Sequence, residues 1–303
     1  RDHGPVDEFL VLGQCLRRIS RCLERGCLNP ALRADARSAL RNGHLPNLAK
    51  GLLVKFFYIP LMLMWSLDGW RFWEDHCRNC FHGLAPTVWS DPQSLALTLR
   101  HYHHLALQGI YLLDLNLALV GYIVSVRLLD THVTTAEPTL FGWMMALLCY
   151  PPFNDRITHL YLPFEFPSIV PGTQVWEDQC MFSPILSILV SLVMLALIGV
   201  YTWATVAFGL RFSNLTNRGI ICSGPYRFVR HPAYITKNLF WWLEAMPFMA
   251  ADWRVGVRCC ICLLGVNLIY GLRAWTEERH LLREPHYREY CQRVRWRFIP
   301  GVW

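Results

Sequence analysis

The sequence predicts an all-α, polytopic integral membrane protein with about six transmembrane helices. Hydrophobic residues make up 53% of the 303 residues and charged residues only 17%, whereas a soluble domain usually carries about 25% charged residues. The mean hydropathy is positive, at +0.24. Apolar segments recur along the chain, several of them near the roughly 20 residues that cross a bilayer as a helix. They lie at 51–67, 104–126, 139–153, 181–210, 233–250 and 255–272.

The charge between these segments predicts their orientation. Arginines crowd residues 1–50, 211–230 and 273–297, whereas residues 151–181 carry one arginine among several acidic side chains. Six spans with both termini in the cytosol place every arginine-rich segment on one side, as the positive-inside rule expects. We therefore expect an integral protein of a bacterial inner membrane or a eukaryotic organelle membrane, with both termini inside.

Residues 5–27 predict an amphipathic helix within an N-terminal extension at 1–50. Such a helix either lies on the membrane surface or packs against the cytosolic face of the protein itself. The basic residues of the chain form no block of five or more like charges and accompany no nucleic-acid-binding motif. This distribution favours anionic membrane lipids as partners and argues against nucleic acid.

Residues 223–242, SGPYRFVRHPAYITKNLFWW, place a rigid cationic turn directly before an apolar segment. Pro232 has its φ preset for a first helical turn and restricts His231 to extended geometry, so His231 is the expected N-cap region of the fifth span. The free N–H groups of the helix start, together with the charge of Arg230, would form a seat for an anion at the membrane boundary. The alternative is a membrane anchor that begins with proline.

The pair Glu277-Glu278, directly after the sixth span, favours the binding interpretation. The last two spans form a hairpin, so this pair and Arg230 are expected at the same cytosolic end. A simple anchor would carry lysine or arginine there. Adjacent helical residues point about 100° apart, so only one carboxylate faces the cleft, where it would hold an amino group or a ribose hydroxyl. The alternative is a salt bridge to Arg230, Arg273 or Arg279.

These residues belong to an ordered set that resembles the isoprenylcysteine carboxyl methyltransferase family. The set runs in the order Gly224-Pro225-Tyr226, Arg230-His231-Pro232, Tyr234, a helical hairpin, Glu277-Glu278, Tyr287 and Tyr290. The resemblance covers about residues 205–303, and residues 1–180 match no family. We therefore expect three parts: the extension at 1–50, a membrane region without a recognised resemblance at 51–180, and a methyltransferase-like membrane domain with a C-terminal cap at 181–303.

The resemblance implies that the hairpin and the cap enclose S-adenosylmethionine. This cofactor carries a carboxylate, an ammonium, a sulfonium and an adenosine, so its site needs both signs of charge and aromatic surface. Arg230, His231 and the helix start suit the carboxylate, whereas Glu277 or Glu278 suits the ammonium or the ribose. The aromatic residues expected to stack on adenine or to face the sulfonium are Tyr226, Tyr234, Trp275 and Tyr287. Arg230 and Glu278 are the expected catalytic residues.

The function that the resemblance implies is methylation of a lipophilic acceptor at a carboxylate, an amine or a thiol. Two alternatives stay open. Sterol reductases share an Arg-His-Pro-x-Tyr turn, which suggests a nicotinamide-dependent membrane reductase, and the unmatched N-terminal half suits a non-catalytic subunit of a membrane complex. The sequence departs from the family pattern at Thr236, Lys237 and Pro285, and Lys237 could enter the site.

Two further groups of residues allow a functional interpretation. Asp114 and Glu244 are carboxylates within predicted spans, where an ionisable side chain either serves a function or bonds a neighbouring helix. The segments DHCRNCFH (75–82) and RHYHH (100–104) offer cysteines and histidines, among them Cys77 and Cys80. One C-x2-C motif without a second pair is a weak zinc signal, so we expect no metal.

Overall fold

A computed structural model describes residues 44–82, 92–124, 129, 131–158, 184–250 and 252–302. Nearly all secondary structure in these ranges is helical, and the exception is two strands of 2 residues each. Within the described ranges, four helices are long and apolar enough to cross a bilayer. The predicted class, an all-α membrane protein, is therefore confirmed. The amphipathic helix expected at 5–27 lies outside the described residues.

The elements follow one another in two runs. The first run consists of helix α1 (His44–His82), α2 (Pro92–Ile123), strand β1 (Thr135–Ala136), α3 (Leu140–Leu147) and α4 (Asp155–Thr158). The second run consists of α5 (Pro184–Phe208), β2 (Thr216–Asn217), α6 (Pro232–Ala245), α7 (Trp253–Leu281) and α8 (Pro285–Arg293). Short 3-10 turns lie at Gly209–Arg211, Gly224–Arg227 and Pro247–Met249.

The described residues hold four spanning helices rather than about six. The candidate spans are Ala49–Arg78, His101–Ile123, Ile188–Arg211 and Trp253–Leu281. The apolar segment 139–153 forms α3, which has 8 residues, and 233–250 forms α6, which has 14. At 1.5 Å per residue they are about 12 and 21 Å long, shorter than the ~30 Å hydrocarbon core. α3 ends at Leu147, shortly before Pro151-Pro152, and α6 ends at Ala245, where the next residue, Met246, has a left-handed backbone conformation and precedes a proline.

Helices α6 and α7 form the hairpin that the sequence predicts. Helix α6 begins at Pro232, with His231 as its N-cap residue. Helix α7 begins after Asp252, whose side chain accepts a hydrogen bond from the Arg254 N–H at 2.9 Å. Gly256 allows the turn between them to pack closely, because a Cβ there would lie 2.5 Å from the carbonyl oxygen of Pro247. The hairpin therefore depends on one position without a side chain.

Several helix ends meet at one end of the bundle. Near the start of α1, Lys50 donates to the carbonyl of Glu137 at 3.2 Å. Near the end of α2, the Gly121 carbonyl accepts a hydrogen bond from the Arg218 guanidinium at 2.5 Å. The start of α6 and the end of α7 join the same end through the ionic contacts described below. The described arginine-rich segments thus share one end of the bundle, and its cytosolic location stays a prediction.

A group of three tyrosines, two of them fully buried, packs beneath this end. Tyr58 of α1 stacks on Tyr122 of α2 with ring centroids 5.0 Å apart, and Tyr150 meets Tyr58 edge-on at 4.9 Å. Their hydroxyls reach the second half of the chain, because Tyr122 accepts from the Asn214 N–H (3.1 Å) and Tyr150 accepts from the Asn214 side chain (2.9 Å). The N-terminal membrane region therefore supports the loop that follows α5.

Candidate functional site

A cavity opens where α6 begins and α7 ends. Its volume is ≈ 170 Å³, many times the roughly 10–15 Å³ that one ordered water requires. The walls come from α5, the loop after α5, α6, the end of α7 and α8. Seven tyrosines (Tyr150, Tyr201, Tyr226, Tyr234, Tyr270, Tyr287, Tyr290), five cationic residues (Arg211, Arg218, Arg230, Lys237, Arg273) and the carboxylate of Glu277 line it. The cavity thus offers aromatic faces and both signs of charge.

The start of α6 forms one wall of the cavity. His231 is the N-cap residue and Pro232 occupies the first turn, as the sequence predicts. The backbone N–H of His231 donates to the carbonyl of Arg297 at 2.9 Å, which ties the helix start to the tail. The His231 ring stacks on Tyr234 with centroids 5.2 Å apart. These contacts fix the helix N-terminus beside the cavity.

Glu278 lies at the centre of a buried ionic network, which we call the tail clamp (Arg230, His231, Glu278 and Arg297). The Glu278 side chain is 4% exposed and accepts from the Nε of Arg230 at 2.7 Å and from the Nε of Arg297 at 2.8 Å. Its Oε1 lies 3.2 Å from His231 Nε2. Glu278 is thus the salt-bridge partner of Arg230, which is the alternative that the sequence left open.

Arg230 extends the tail clamp to the backbone of the chain after α8. Its NH1 group donates to the carbonyls of Val294 (3.0 Å) and Arg295 (2.9 Å). Burial by itself would lower the pKa of Arg230, but the hydrogen bond and the charge of Glu278 raise this pKa above its usual value. The guanidinium therefore stays charged and holds the tail against the hairpin.

Glu277 points towards the cavity, where its Oε2 lies 4.0 Å from the Nδ1 of His231. Its side chain is 27% exposed. Its Oε1 accepts from the Tyr234 hydroxyl at 2.5 Å and from the Nε of Arg273 at 3.0 Å. Of the two adjacent carboxylates, Glu277 therefore lines the cavity, and Glu278 forms the ion pairs of the tail clamp. Neighbouring residues on a helix point about 100° apart, which explains why the two carboxylates face different surroundings.

Arg273 is a site residue that the sequence suggested only as a salt-bridge partner. Its side chain is 4% exposed, and its NH2 group donates to Asn214 Oδ1 at 2.6 Å. The guanidinium lies over the rings of Tyr234 (5.1 Å) and Tyr150 (5.6 Å). The four-residue spacing between Arg273 and Glu277 was a usable signal, because such residues are neighbours on one face of a helix.

The predicted aromatic residues do not all reach the cavity. Tyr226, Tyr234 and Tyr287 line it, and so does Lys237, the residue that departs from the family pattern. Trp275 is 44% exposed and lies outside it. The Trp275 ring packs edge-on against Phe141 and beneath the Arg279 guanidinium, 5.0 Å from its centroid. We therefore leave Trp275 out of the proposed site.

The short connection around β1 supports the site from outside the predicted methyltransferase-like domain. Strand β1 pairs antiparallel with β2, part of the cavity wall. The buried carboxylate of Glu137 lies 3.2 Å from Arg279 NH2, and the Thr135 hydroxyl lies 3.0 Å from His280 Nε2. Arg279 and His280 are the two residues that follow Glu278 in the sequence. Sequence analysis did not identify this contact, because residues distant in sequence form it without a motif.

The remaining candidates do not line the cavity, although Asp114 interacts with Tyr201 and Thr205 of its wall. Asp114 and Glu244 are buried, and neither lines the cavity. His76 lies near His101 and His104, with ring centroids 5.9 and 5.5 Å away. In the part of the chain that the structure describes, no group of three or more histidines, cysteines or carboxylates could hold a metal ion. The side chain of Cys80 is outside that part.

Comparison with protein families assigns the region that contains this site. The family model that matches spans residues 185–283, from the start of α5 to just beyond α7. This segment matches the isoprenylcysteine carboxyl methyltransferase family. The resemblance predicted from the sequence is therefore confirmed for the C-terminal third of the chain.

The methyltransferase-like segment contains both ends of the α6–α7 hairpin. Arg230, His231, Glu277 and Glu278 fall within it, whereas Tyr287 in α8 lies beyond its last matched residue. No curated protein and no solved structure matches the chain.

Proposed function

We propose that this chain is an integral membrane methyltransferase that uses S-adenosylmethionine to methylate a lipophilic acceptor. The observation that carries the proposal is the cavity at the open end of the α6–α7 hairpin, where the helix start at His231 faces the carboxylate of Glu277. The family match of residues 185–283 supports the same chemistry. Both features belong to the part of the chain for which the sequence suggested this cofactor.

The residues around the cavity suit the chemical groups of the cofactor. A helix N-terminus carries partial positive charge and suits a carboxylate, and α6 begins at the cavity wall. The carboxylate of Glu277 suits an ammonium group or a ribose hydroxyl. The rings of Tyr226, Tyr234 and Tyr287 suit adenine or a sulfonium, because ring faces attract cations. When bound, S-adenosylmethionine supplies the methyl group on its sulfonium.

Two roles follow for the charged residues of the hairpin. Glu277 lines the cavity and is the proposed cofactor-binding carboxylate, and its hydrogen bond from Tyr234 orients it. Arg230 and Glu278 form hydrogen bonds with each other, and Arg230 also donates to the carbonyls of Val294 and Arg295 in the tail. We therefore propose that these two act as positioning residues, which hold the tail against the hairpin and so keep Tyr287 and Tyr290 of α8 in the cavity wall.

The walls of the cavity suit an acceptor that arrives from the lipid. Tyr201 and Thr205 of the spanning helix α5 and Tyr270 of α7 line its inner part. A lipophilic acceptor would therefore reach the site between transmembrane helices while its polar end meets the tyrosine hydroxyls.

Binding measurements on the purified full chain test the proposal. S-adenosylmethionine and a reduced nicotinamide dinucleotide are titrated in parallel against protein in lipid nanodiscs, and saturation is followed by calorimetry. We expect saturable binding of S-adenosylmethionine alone. Glu277→Gln should weaken it about tenfold to a hundredfold, because hydrogen bonds to charged groups contribute about 1.5–3 kcal/mol. Glu289→Gln, which changes a carboxylate 64% exposed on α8, is the matched control.

Thermal unfolding of each variant, measured beside the titrations, separates lost binding from lost folding. Tyr234→Phe gives a second test, since it removes the hydroxyl that orients Glu277 and keeps the ring. Binding of the nicotinamide alone would replace the proposal with a reductase, and binding of neither would favour a non-catalytic subunit. Undiminished affinity in a folded Glu277→Gln variant would remove Glu277 from the site.

A further inference from the structure

His280 is a titratable residue of the cavity wall that the proposed function does not use. It lines the cavity and is 6% exposed. Arg273, Glu277 and His280 follow one another along α7 at intervals of four and three residues, so they share one face of the helix. The Cβ atoms of such neighbours are roughly 5–6 Å apart. His280 therefore lies beside Glu277, the proposed cofactor-binding carboxylate.

The connection around β1 holds the imidazole of His280 in place. The Nε2 atom lies 3.0 Å from the Thr135 hydroxyl. The Nδ1 atom lies 3.8 Å from Oε2 of Glu137, whose side chain is 3% exposed. Because both ring nitrogens have polar neighbours on the β1 side, His280 acts on a ligand in the cavity through its charge and not through a hydrogen bond.

The carboxylate of Glu137 is itself fixed by its surroundings. Its Oε1 accepts from the backbone N–H of Thr139 at 3.1 Å and from Arg279 NH2 at 3.2 Å. Gly142 leaves room for this side chain, because a Cβ there would lie 2.5 Å from the Cδ atom of Glu137. Glu137 is therefore a constant neighbour of the His280 ring.

Charged groups on three parts of the chain act on His280. They are Glu137 beside β1, Lys50 of α1, and Glu277 and Arg283 at the end of α7. The two carboxylates favour the protonated imidazole, and the two cations oppose it. Histidine side chains change their charge between about pH 5 and 8. Protonation of His280 would therefore add a positive charge to the cavity wall.

We propose that the charge of His280 sets the preference of the site between S-adenosylmethionine and its demethylated product, S-adenosylhomocysteine. The two molecules differ by one methyl group and by the positive charge of the sulfonium. A charge on the wall of a buried cavity acts strongly on charges inside it, because protein screens them less than water does. The imidazolium therefore disfavours the sulfonium form relative to the neutral thioether. This inference rests on the proposed function, since it takes S-adenosylmethionine as the occupant.

Titrations of both molecules against the full chain in nanodiscs, between about pH 5 and 7, test this preference. The α-amino groups of both ligands stay protonated in that range, since such groups titrate at about 7.7–8.0. Calorimetry gives the ratio of the two Kd values at each pH, and partial unfolding of the protein changes both values by the same factor. We expect the Kd of S-adenosylmethionine, relative to that of S-adenosylhomocysteine, to rise roughly tenfold as the pH falls.

Variants connect the pH dependence to His280. His280→Gln should make the ratio independent of pH, because no titrating group remains at this position. Glu137→Gln should move the rise to lower pH, because the imidazolium loses the carboxylate that stabilises it. This second variant also tests the inference if His280→Gln does not fold, which thermal unfolding reveals. His286→Gln is the matched control, since its side chain is 87% exposed on α8, and its ratio should follow that of the wild type.

The results separate this inference from the proposed function. Binding of S-adenosylmethionine with a ratio that does not change with pH, or that falls as the pH falls, would refute the role of His280 alone. An unchanged pH dependence in a folded His280→Gln variant would assign it to another titratable group of the wall, such as His231 or Glu277, and would also refute that role. Absence of S-adenosylmethionine binding at every pH would refute the proposed function as well.

Discussion

Replacing Glu278 with glutamine should destabilise the protein by about 3 kcal/mol, because the change removes the negative charge that the guanidinium groups of Arg230 and Arg297 share. The side chain of Glu278 is 4% exposed, that of Arg230 is 10% exposed and that of Arg297 is 27% exposed. Removing one partner of a buried ion pair typically costs about 3–5 kcal/mol. We take the lower end, since the more exposed Arg297 can turn towards water.

Thermal unfolding of the full chain in one detergent, followed by tryptophan fluorescence, measures this loss. Since 1 kcal/mol lowers the Tm of a domain of about 150–250 residues by roughly 2–4 °C, a loss of about 3 kcal/mol corresponds to a Tm roughly 6–12 °C lower. Trypsin should also cleave the variant faster after Arg288 and Arg293, because the tail clamp no longer holds α8 against the hairpin. The control Glu289→Gln removes an ion pair with His286 in which the Glu289 side chain is 64% exposed and the His286 side chain is 87% exposed. This change should cost less than about 1 kcal/mol of stability.

The order of the three variants tests the reasoning. Glu278→Gln should lower the Tm most, Arg297→Gln less and Glu289→Gln least, because the exposure of the removed partner rises in that order. Equal Tm values for Glu278→Gln and Glu289→Gln, with equal rates of tryptic cleavage, would show that the tail is held by packing and not by the ionic network.

Three further changes probe other parts of the site and its support. Gly256→Ala should lower the Tm, because the added Cβ would lie 2.5 Å from a backbone carbonyl oxygen, whereas Gly265→Ala on the same helix meets nothing within 4 Å. Gly265→Ala should raise the stability by up to about 1 kcal/mol; a Gly256→Ala variant as stable as Gly265→Ala would contradict the close approach. Tyr290→Phe removes a 2.6 Å hydrogen bond to a buried carbonyl in the Gly224–Arg227 turn, which should cost about 1–3 kcal/mol in chemical denaturation. Burial raises the pKa of the Cys291 thiol, so less thiolate is present at pH 8 and iodoacetamide should modify it more slowly in the native than in the unfolded protein. Peptide mass spectrometry gives both rates, and equal rates would contradict the burial.

The sequence alone identified the hairpin and the two short motifs at its open end. Pro232 fixes the first turn of α6 through its own φ, and that local restriction does not depend on the rest of the fold. The spacing of Glu277 and Glu278 likewise required that they point in different directions, since helical geometry is local. Composition was sufficient to predict a membrane protein, because a low content of charged residues and long apolar segments can be seen in the sequence without knowledge of the fold.

The sequence pattern could not decide which of the described apolar segments form helices long enough to span a bilayer. Segments 139–153 and 233–250 are apolar enough to resemble spans, but their helices have 8 and 14 residues. Helix α6 is apolar because it packs against α5 and α7 inside the bundle, and burial in protein selects the same residue types as burial in lipid. Trp275 illustrates the same limit, because an aromatic residue beside a motif is equally compatible with a cavity wall and with an outer face.

The sequence by itself determined the membrane class, the family resemblance of the C-terminal third and the residue types of the candidate site. Only the tertiary structure decided which of two adjacent carboxylates lines the cavity and which of them pairs with Arg230. It also brought Glu137 and Asn214 to the hairpin from elements far apart in the chain. The physical reason is that helix starts, caps and periodicity act over a few residues, whereas the pairing of buried charges depends on which helices pack together.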